Sequence, residues 1–317
     1  MLTAFSASPS LDITYVVDDY RLGAIHRPLS VHRMAGGKAL NAARAAAILG
    51  ADVAALAILA GPAGAAVESG AREGGVQLVR IDGVATTRSC VSVASVESGE
   101  LTEIYEHPVP VGGDEWASLL EHLRILLAIR PGWLIISGGM PAGLPADALD
   151  AVLRIAAEAG ARVALDTHGP ALAGALRSAA LSLLKINREE AAEVLGCSTA
   201  TPIGLLAEGL RRLTSGAVVV TDGIDGALGV DDREVVHASL AGHVGGFPVG
   251  SGDSFLGAMV TALDRGATLG EAMSSATGAA TANALEPGAA RFSRRQAESL
   301  ASGVELTAAG GGQPLRR

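Results

Sequence analysis

Lysine is almost absent from this chain of 317 residues: of 24 basic side chains only Lys38 and Lys185 are lysines, the rest being arginines. Asparagine is nearly as scarce, at Asn41, Asn187 and Asn283. There are two cysteines, Cys90 and Cys197, too few for a disulfide framework and without metal-ligand spacing. No apolar run approaches the roughly 18 residues of a membrane-crossing helix; residues 53–60 are typical of the longest. The first ten residues carry no positive charge and no long apolar region, so no secretory leader is expected. The seven histidines are dispersed, with no HxH or HExxH pair, which argues against a metal hydrolase. Acidic residues outnumber basic ones by 33 to 24, and a net charge of −9 offers no global field for nucleic acid. What remains is a cytoplasmic globular protein that engages neither membrane nor nucleic acid. With 49% apolar residues it can build a full core, and its length allows two domains or one large α/β domain.

Where a residue type is avoided almost everywhere, the positions that retain it are those whose chemistry needs it. Lys38 and Asn41 lie three apart, and Lys185 and Asn187 two apart. This pairing selects two candidate sites before any motif is considered.

Along the chain, short apolar stretches alternate with helical ones. Residues 53–59, 133–137, 163–166, 181–185 and 217–221 read as strands. Residues 39–49, 63–73, 146–159, 188–195 and 202–213 read as helices. Strands apolar throughout and separated by helices predict a parallel sheet covered on both faces. Residues 11–20 with 29–35, and 88–97 with 101–107, have instead the alternation of antiparallel ribbons, the second turning at Ser98–Gly99. Too small for a core of their own, they predict a lid whose outer face can pair with another subunit. From residue 251 the chain reads as helical over 251–265, 269–284 and 293–301, followed by a frayed tail.

Three stretches carry chemistry. Gly250-Ser251-Gly252-Asp253-Ser254 opens a helix, and a glycine turn there presents unpaired N–H groups and the positive end of the helix dipole to an anion. Ser251 and Asp253 also suit an N-cap and first-turn acid, but capping does not require the flanking glycines, whereas close approach of a ligand does. Asn187-Arg188-Glu189-Glu190 follows a strand end, where α/β folds bind ligands, and equally satisfies a capping box. Gly36-Gly37-Lys38 with Asn41 opens another helix; it is not a Walker A loop, yet it suits a phosphate or polar small molecule. Read alone, Asp12 is a turn residue, Arg88 a surface arginine, and Trp116 and Trp133 core or interface residues.

Taken in order, these stretches resemble the ribokinase-like sugar kinases of phosphofructokinase B type, in their phosphosugar branch. The resemblance runs from about Thr3 to about Gln296. It rests on Ser8-Pro9-Ser10-Leu11-Asp12, Ala35-Gly36-Gly37-Lys38 with Asn41, Thr87-Arg88, Ser137-Gly138-Gly139-Met140-Pro141, Lys185-Ile186-Asn187 with Glu190, Thr221-Asp222-Gly223 and the Gly250–Ser254 stretch. It implies a three-layer α/β/α fold with a mainly parallel central sheet and a small β-ribbon lid. One kinase domain would span 1–305, with lid segments at about 11–35 and 86–109 and a flexible tail over 306–317. It further implies ATP-dependent, Mg²⁺-assisted phosphoryl transfer to a sugar phosphate (fructose 1-phosphate, fructose 6-phosphate or tagatose 6-phosphate), and a homodimer formed through the lid ribbons. Asp253 would be the general base, and the Gly250, Ser251 and Gly252 turn would stabilise the transferring group. Asp12 and Asn41 would bind sugar hydroxyls; Lys38 and Arg88, with Gly37 and Ser137 nearby, would hold the phosphate already on the sugar. Lys185, Thr221 and Gly223 would lie along the nucleotide phosphates, and Asn187 and Glu190 would hold Mg²⁺ through water. Gly278, Asn283 and Gly288 would border the adenine pocket.

The chain departs from the branch at Ser8, Ala39, Gly139, Ile186 and Asp222, where relatives usually have Asn, Gly, Ser, Pro and Leu. None of these changes touches Asp253 or its glycine turn. A kinase for an unphosphorylated sugar or nucleoside, and a non-catalytic sugar- or nucleotide-binding regulator, are the alternative readings. A Gly-Asp-Ser esterase is excluded because no histidine follows His243, and a dinucleotide oxidoreductase because no GxGxxG turn follows the first strand.

Overall fold

Strands that are apolar on both faces need a cover on each side, and the chain supplies it. The computed structural model describes residues 1–178, 181–243 and 245–308. In chain order it contains β1 (Leu2–Ser6), β2 (Ser10–Val17), β3 (Ser30–Gly36), α1 (Lys38–Ile48), β4 (Val53–Leu59), α2 (Gly61–Glu73), β5 (Gln77–Asp82), β6 (Arg88–Ser95), β7 (Leu101–Tyr105), α3 (Gly113–Ile129), β8 (Trp133–Ser137), α4 (Ala148–Glu158), β9 (Arg162–Asp166), α5 (Gly169–Ser178) and β10 (Leu181–Asn187). There follow α6 (Arg188–Leu195), α7 (Ile203–Arg211), β11 (Ala217–Thr221), β12 (Ala227–Val230), β13 (Val235–Ser239), α8 (Ser251–Asp264), α9 (Leu269–Ala284), α10 (Arg294–Ala301) and β14 (Glu305–Ala308).

Among the described residues one sheet has ten strands, in the order β14-β13-β12-β11-β10-β9-β8-β1-β4-β5. From β11 to β5 every pairing is parallel, and β12, β13 and β14 add an antiparallel margin. On one face α1, α2, α8, α9 and α10 bury Leu40, Val67, Phe255, Met259 and Met273. On the other, α3 to α7 bury Trp116, Leu123, Val152, Leu172 and Leu206, with Phe5 edge-on to Trp116 at 5.9 Å between ring centroids. The result is the three-layer α/β/α arrangement.

The two antiparallel ribbons form one four-stranded sheet, β3-β2-β6-β7, because β2 and β6 pair in parallel between them. α2 packs against β2 and β3 and attaches this sheet to the body. The expected tail begins later than 306, since 305–308 form β14 against β13; residues 309–317 lie outside the described ones. Among the described residues no helix is long and apolar enough to cross a membrane.

Candidate active site

Parallel strands leave a crevice beyond their carboxyl ends. Here a cleft of about 1010 Å³ opens there, reaching from the four-stranded sheet across β1, β8, β9 and β10 to β11. Asp12, Gly37, Lys38, Asn41, Arg88, Ser137, Lys185, Asn187, Thr221, Gly223, Gly250, Gly252 and Asp253 all line it. Residues from seven separated motifs thus meet in one place.

The turn into α8 has the geometry that its glycines allow. Gly250 caps the helix at φ 80°, and a Cβ there would lie 2.6 Å from Ala289 Cβ, so a side chain is excluded both by conformation and by space. The Ser251 N–H donates to the Pro248 carbonyl at 3.1 Å, and the Ser254 N–H to Gly250 at 2.8 Å. The first-turn N–H groups of Gly252 and Asp253 are therefore the ones left to meet a ligand. Gly252 serves by close approach: a Cβ would sit 2.9 Å from Lys185 Nζ.

A buried charge cluster faces this turn. Lys185 Nζ donates to Asp166 Oδ2 at 2.7 Å, and Lys38 Nζ lies 3.9 Å from Asp166 Oδ1. Burial pushes the Asp166 carboxyl up, but the two ammonium groups outweigh it and hold the acid below the usual carboxylate range. Asp166 in turn holds the Lys38 ammonium above its ordinary value despite desolvation. Asp253 is 6% exposed, and its Oδ2 accepts from Asn41 Nδ2 at 2.9 Å. Burial raises the Asp253 pKa to about 6, against the opposing pull of Lys38, the Asn41 hydrogen bond and Lys185. A carboxylate so placed is ionised at neutral pH yet basic enough to take a proton.

On the lid side, Asp12 accepts from Ser10 Oγ at 2.6 Å, and burial raises its pKa. A Cβ on Gly36 would fall 2.0 Å from the Asp12 carboxyl carbon, which explains the first glycine of that pair. Arg88 donates from Nη1 to the Glu106 carbonyl at 3.1 Å, while its Nε is buried without a partner. On the far side, Asn187 and Glu190 form the capping box: Glu190 N–H donates to Asn187 Oδ1 at 2.8 Å, and Asn187 N–H to Glu190 Oε2 at 3.2 Å. Asp222 is no free acid, because Arg188 clamps it through two hydrogen bonds, from Nε at 2.6 Å and from Nη2.

Some expected residues stand elsewhere. Gly278 is packed between α9 and α10, a Cβ meeting the Ala297 carbonyl at 2.6 Å, and does not line the cleft. Asn283 is fully buried and braces the anion turn from behind. Its Nδ2 donates to the Val249 carbonyl at 2.8 Å and to Ser251 Oγ at 3.0 Å, and its Oδ1 accepts from Ala290 N–H at 2.6 Å. Gly288 faces Met34 and His32 of the lid strand. Asn41, expected on a sugar hydroxyl, lines the cleft; its nitrogen donates one N–H to Asp253 and its oxygen accepts from Arg44 at 3.1 Å, so a second amide N–H remains for a ligand. Asp166, Arg44 and His168 escaped the sequence reading. Asp166 had a signal, an acid at a strand's carboxyl end. His168 Nε2 lies 3.6 Å from where a Cβ on Gly139 would be, so an imidazole stands over the position that lacks a hydroxyl.

Fold and site together define a class: α/β phosphotransferases in which a glycine turn at a helix N-terminus carries a buried carboxylate at a lidded cleft. Residues 7–296 match the pfkB family carbohydrate kinase pattern, and the chain belongs to that family. It is an ATP-dependent carbohydrate kinase with the ribokinase-like fold. Among its relatives, a 1-phosphofructokinase of Xanthomonas campestris pv. campestris is 33% identical over 269 residues, covering 81% of this chain and 82% of the relative. Phosphofructokinase-2 of Escherichia coli, solved in complex with substrates and products, superposes with a TM-score of 0.88 at 26% identity, over 95% of this chain and 98% of that one. The tetrameric inhibited form of that enzyme gives a TM-score of 0.85 at 26% identity over the same shares, 95% and 98%.

Proposed function

We propose that the chain transfers the γ-phosphoryl group of ATP to a free hydroxyl of fructose 1-phosphate, giving fructose 1,6-bisphosphate. The observation that carries this reading is a set of buried polar atoms without partners, Ser8 Oγ, Arg88 Nε, Ser137 Oγ and Asp166 Oδ1, all on residues that line the cleft. Buried polar groups are normally satisfied, so such a set asks for a polar ligand, and the unpartnered guanidinium N–H of Arg88 asks for an anionic group on it. The activity named for the 33%-identical relative supports fructose 1-phosphate as the sugar.

Asp253 takes the proton from the acceptor hydroxyl as the oxygen attacks phosphorus. The N–H groups of Gly252 and Asp253, with Gly250 and Ser251 shaping the turn, stabilise charge on the group in transfer. Arg88 anchors the phosphate already on the sugar, with Ser137 and Gly37 bounding that pocket, and Asp12 holds a sugar hydroxyl. Lys38 was expected beside Arg88, but its charged neighbours are Asp166, Asp253 and Glu190, which supports a place at the phosphoryl group in transfer. Lys185, Thr221 and Gly223 lie along the nucleotide phosphates. A Mg²⁺ bound with the nucleotide would be held mainly by phosphates and water. The free oxygen of Glu190 and the Asn187 amide are the groups to orient its water, and the ion would neutralise phosphate charge. The four-stranded sheet acts as the lid that excludes competing water from the cleft of a single kinase domain, which extends through β14.

Exposed Leu29 and Ile104 on this lid, with Leu22 and Ile25 in the loop between β2 and β3, support a homodimer formed through it. Use of ATP and two unpaired cysteines support the cytoplasm as the place of action.

The test is the initial rate of ADP release with Mg-ATP against fructose 1-phosphate, fructose 6-phosphate, tagatose 6-phosphate, free fructose, ribose and adenosine. Fructose 1-phosphate should give the highest kcat/KM. Free fructose should fall about 10⁴-fold below it, because it leaves the phosphate-binding groups unpaired. Preference for fructose 6-phosphate would move the assignment to the activity named for the E. coli neighbour. Turnover confined to unphosphorylated acceptors would refute it.

A further inference from the structure

We infer that Arg44 is a positioning residue for phosphoryl transfer: its guanidinium orients the Asn41 amide toward Asp253 and holds the turn on which Gly250 rests. This rests on the reading of Asp253 as the base.

Arg44 sits on α1, 4% exposed, and makes no hydrogen bond to a carboxylate. It donates from Nε to the Ala290 carbonyl at 3.2 Å, from Nη1 to the Ala35 carbonyl, and from Nη2 to the Ala289 carbonyl at 2.6 Å and to Asn41 Oδ1 at 3.1 Å. Taking a guanidinium out of water without a bonded counter-ion is costly, and an apolar side chain would pack there for less. Three backbone carbonyls from two other segments and one amide oxygen on its own helix are what the charge secures.

Two of these contacts reach the chemistry. An asparagine can present either its oxygen or its nitrogen to a neighbour. With Arg44 donating to Oδ1, the nitrogen must face Asp253; the inverted amide would set N–H against guanidinium and oxygen against carboxylate. Asn41 is thereby held as a donor to the base. The second contact fixes the turn after α9. Ala290 has φ 46°, a conformation that non-glycine residues seldom adopt, and both Ala289 and Ala290 carbonyls are taken by Arg44 while the Ala290 N–H is taken by Asn283. That turn lies directly against Gly250. Ala35, the remaining partner, immediately precedes the Gly36-Gly37 pair through which the lid strand enters α1. One guanidinium therefore ties the lid's root, the base and the anion turn.

The charged groups around Asp253 are Lys38 and Arg44 from α1, Asp166 from β9 and Lys185 from β10. Burial lowers the Arg44 pKa to about 10, so it remains cationic at neutral pH. Loss of its charge, or of the Asn41 hydrogen bond, raises the proton affinity of Asp253.

The test compares the intact chain with Arg44→Lys, Asn41→Leu and the double variant, measuring kcat and both KM values from pH 5 to 9. In Arg44→Lys, kcat should fall about 10- to 100-fold, the penalty for a slightly misplaced reacting group, with both KM values within about twofold. The acid limb of kcat should move up by about one pH unit, the shift that loss of one hydrogen bond to a carboxylate produces. Asn41→Leu should move it equally, and the double variant no further, because the two act in series. A folded Arg44→Lys enzyme with an unmoved acid limb, or additive shifts in the double variant, overturns the inference. Asn41→Leu leaves Arg44 its three carbonyls, so an unmoved limb in that variant overturns it even if the lysine variant fails to fold. The underlying reading fails separately, through turnover retained in Asp253→Asn.

Discussion

Replacing Asp253 by asparagine should make the protein more stable and nearly inactive at once. The carboxyl is buried with a pKa of about 6, against 3.8 for the exposed group. At about 1.4 kcal/mol per pKa unit, folding disfavours the ionised form by about 3 kcal/mol at pH 8. Asparagine removes that charge at almost the same volume and keeps an oxygen for Asn41 Nδ2, so about 1–3 kcal/mol should be regained. The sign follows from proton binding: between about pH 4 and 6 the native state holds more protons than the unfolded one, so stability from this group falls as pH rises through that window. The gap between variant and wild type should be about 1–3 kcal/mol at pH 8 and about half that at pH 5. Urea unfolding of both proteins at the two pH values measures it. Turnover in the same preparations should drop by about 10²–10⁴, the usual worth of a general base. A variant less stable than wild type at pH 8, or one retaining turnover within about tenfold of it, would refute the placement of a costly buried base at this position.

Gly250→Ala combines φ 80° with a Cβ 2.6 Å from Ala289 Cβ. Left-handed strain and overpacking together should cost about 2–5 kcal/mol in urea unfolding, and the displaced turn about 10²-fold or more in kcat. Undiminished kcat would mean that the turn only caps a helix. Arg88→Ala should raise KM for the phosphosugar about 10- to 100-fold, the worth of a charged hydrogen bond, and leave KM for ATP unchanged. An unchanged sugar KM would place the anchor elsewhere. Lys185→Met breaks the pair with Asp166, both side chains at most 6% exposed, and should destabilise by about 3–5 kcal/mol. Adding Asp166→Leu should restore much of the stability, as thermal unfolding would show, without restoring turnover; recovery of both would make the cluster purely structural.

Much of this site was legible because the chain is so economical with lysine and asparagine. Lys38, Asn41, Lys185 and Asn187 all reach the cleft, as their rarity suggested. Asn283, set at the adenine pocket by the family resemblance, belongs to neither pair and braces the turn from behind, a placement that only the packing of α9 against α8 decides. Arg44 was invisible for the opposite reason: in a chain that uses arginine nearly everywhere, one buried arginine has no compositional signal. Asp222, an acid among phosphate-facing positions, is neutralised by Arg188, 34 residues away in sequence, a pairing set by adjacent strand ends. The parallel strands were legible from runs apolar on both faces. The seam between β2 and β6 was not, since each ribbon's alternation is satisfied by its own hairpin and the joining contact spans some 78 residues.

The proposed reaction moves a phosphoryl group from ATP to a second oxygen of a sugar already phosphorylated. ³¹P NMR of a mixture of enzyme, Mg-ATP and fructose 1-phosphate tests it directly. The γ-phosphate signal should give way to a new phosphomonoester at C6, matched by ADP, with the original C1 ester retained. Inorganic phosphate appearing without a new ester, or ATP left intact beside a folded enzyme, would contradict it.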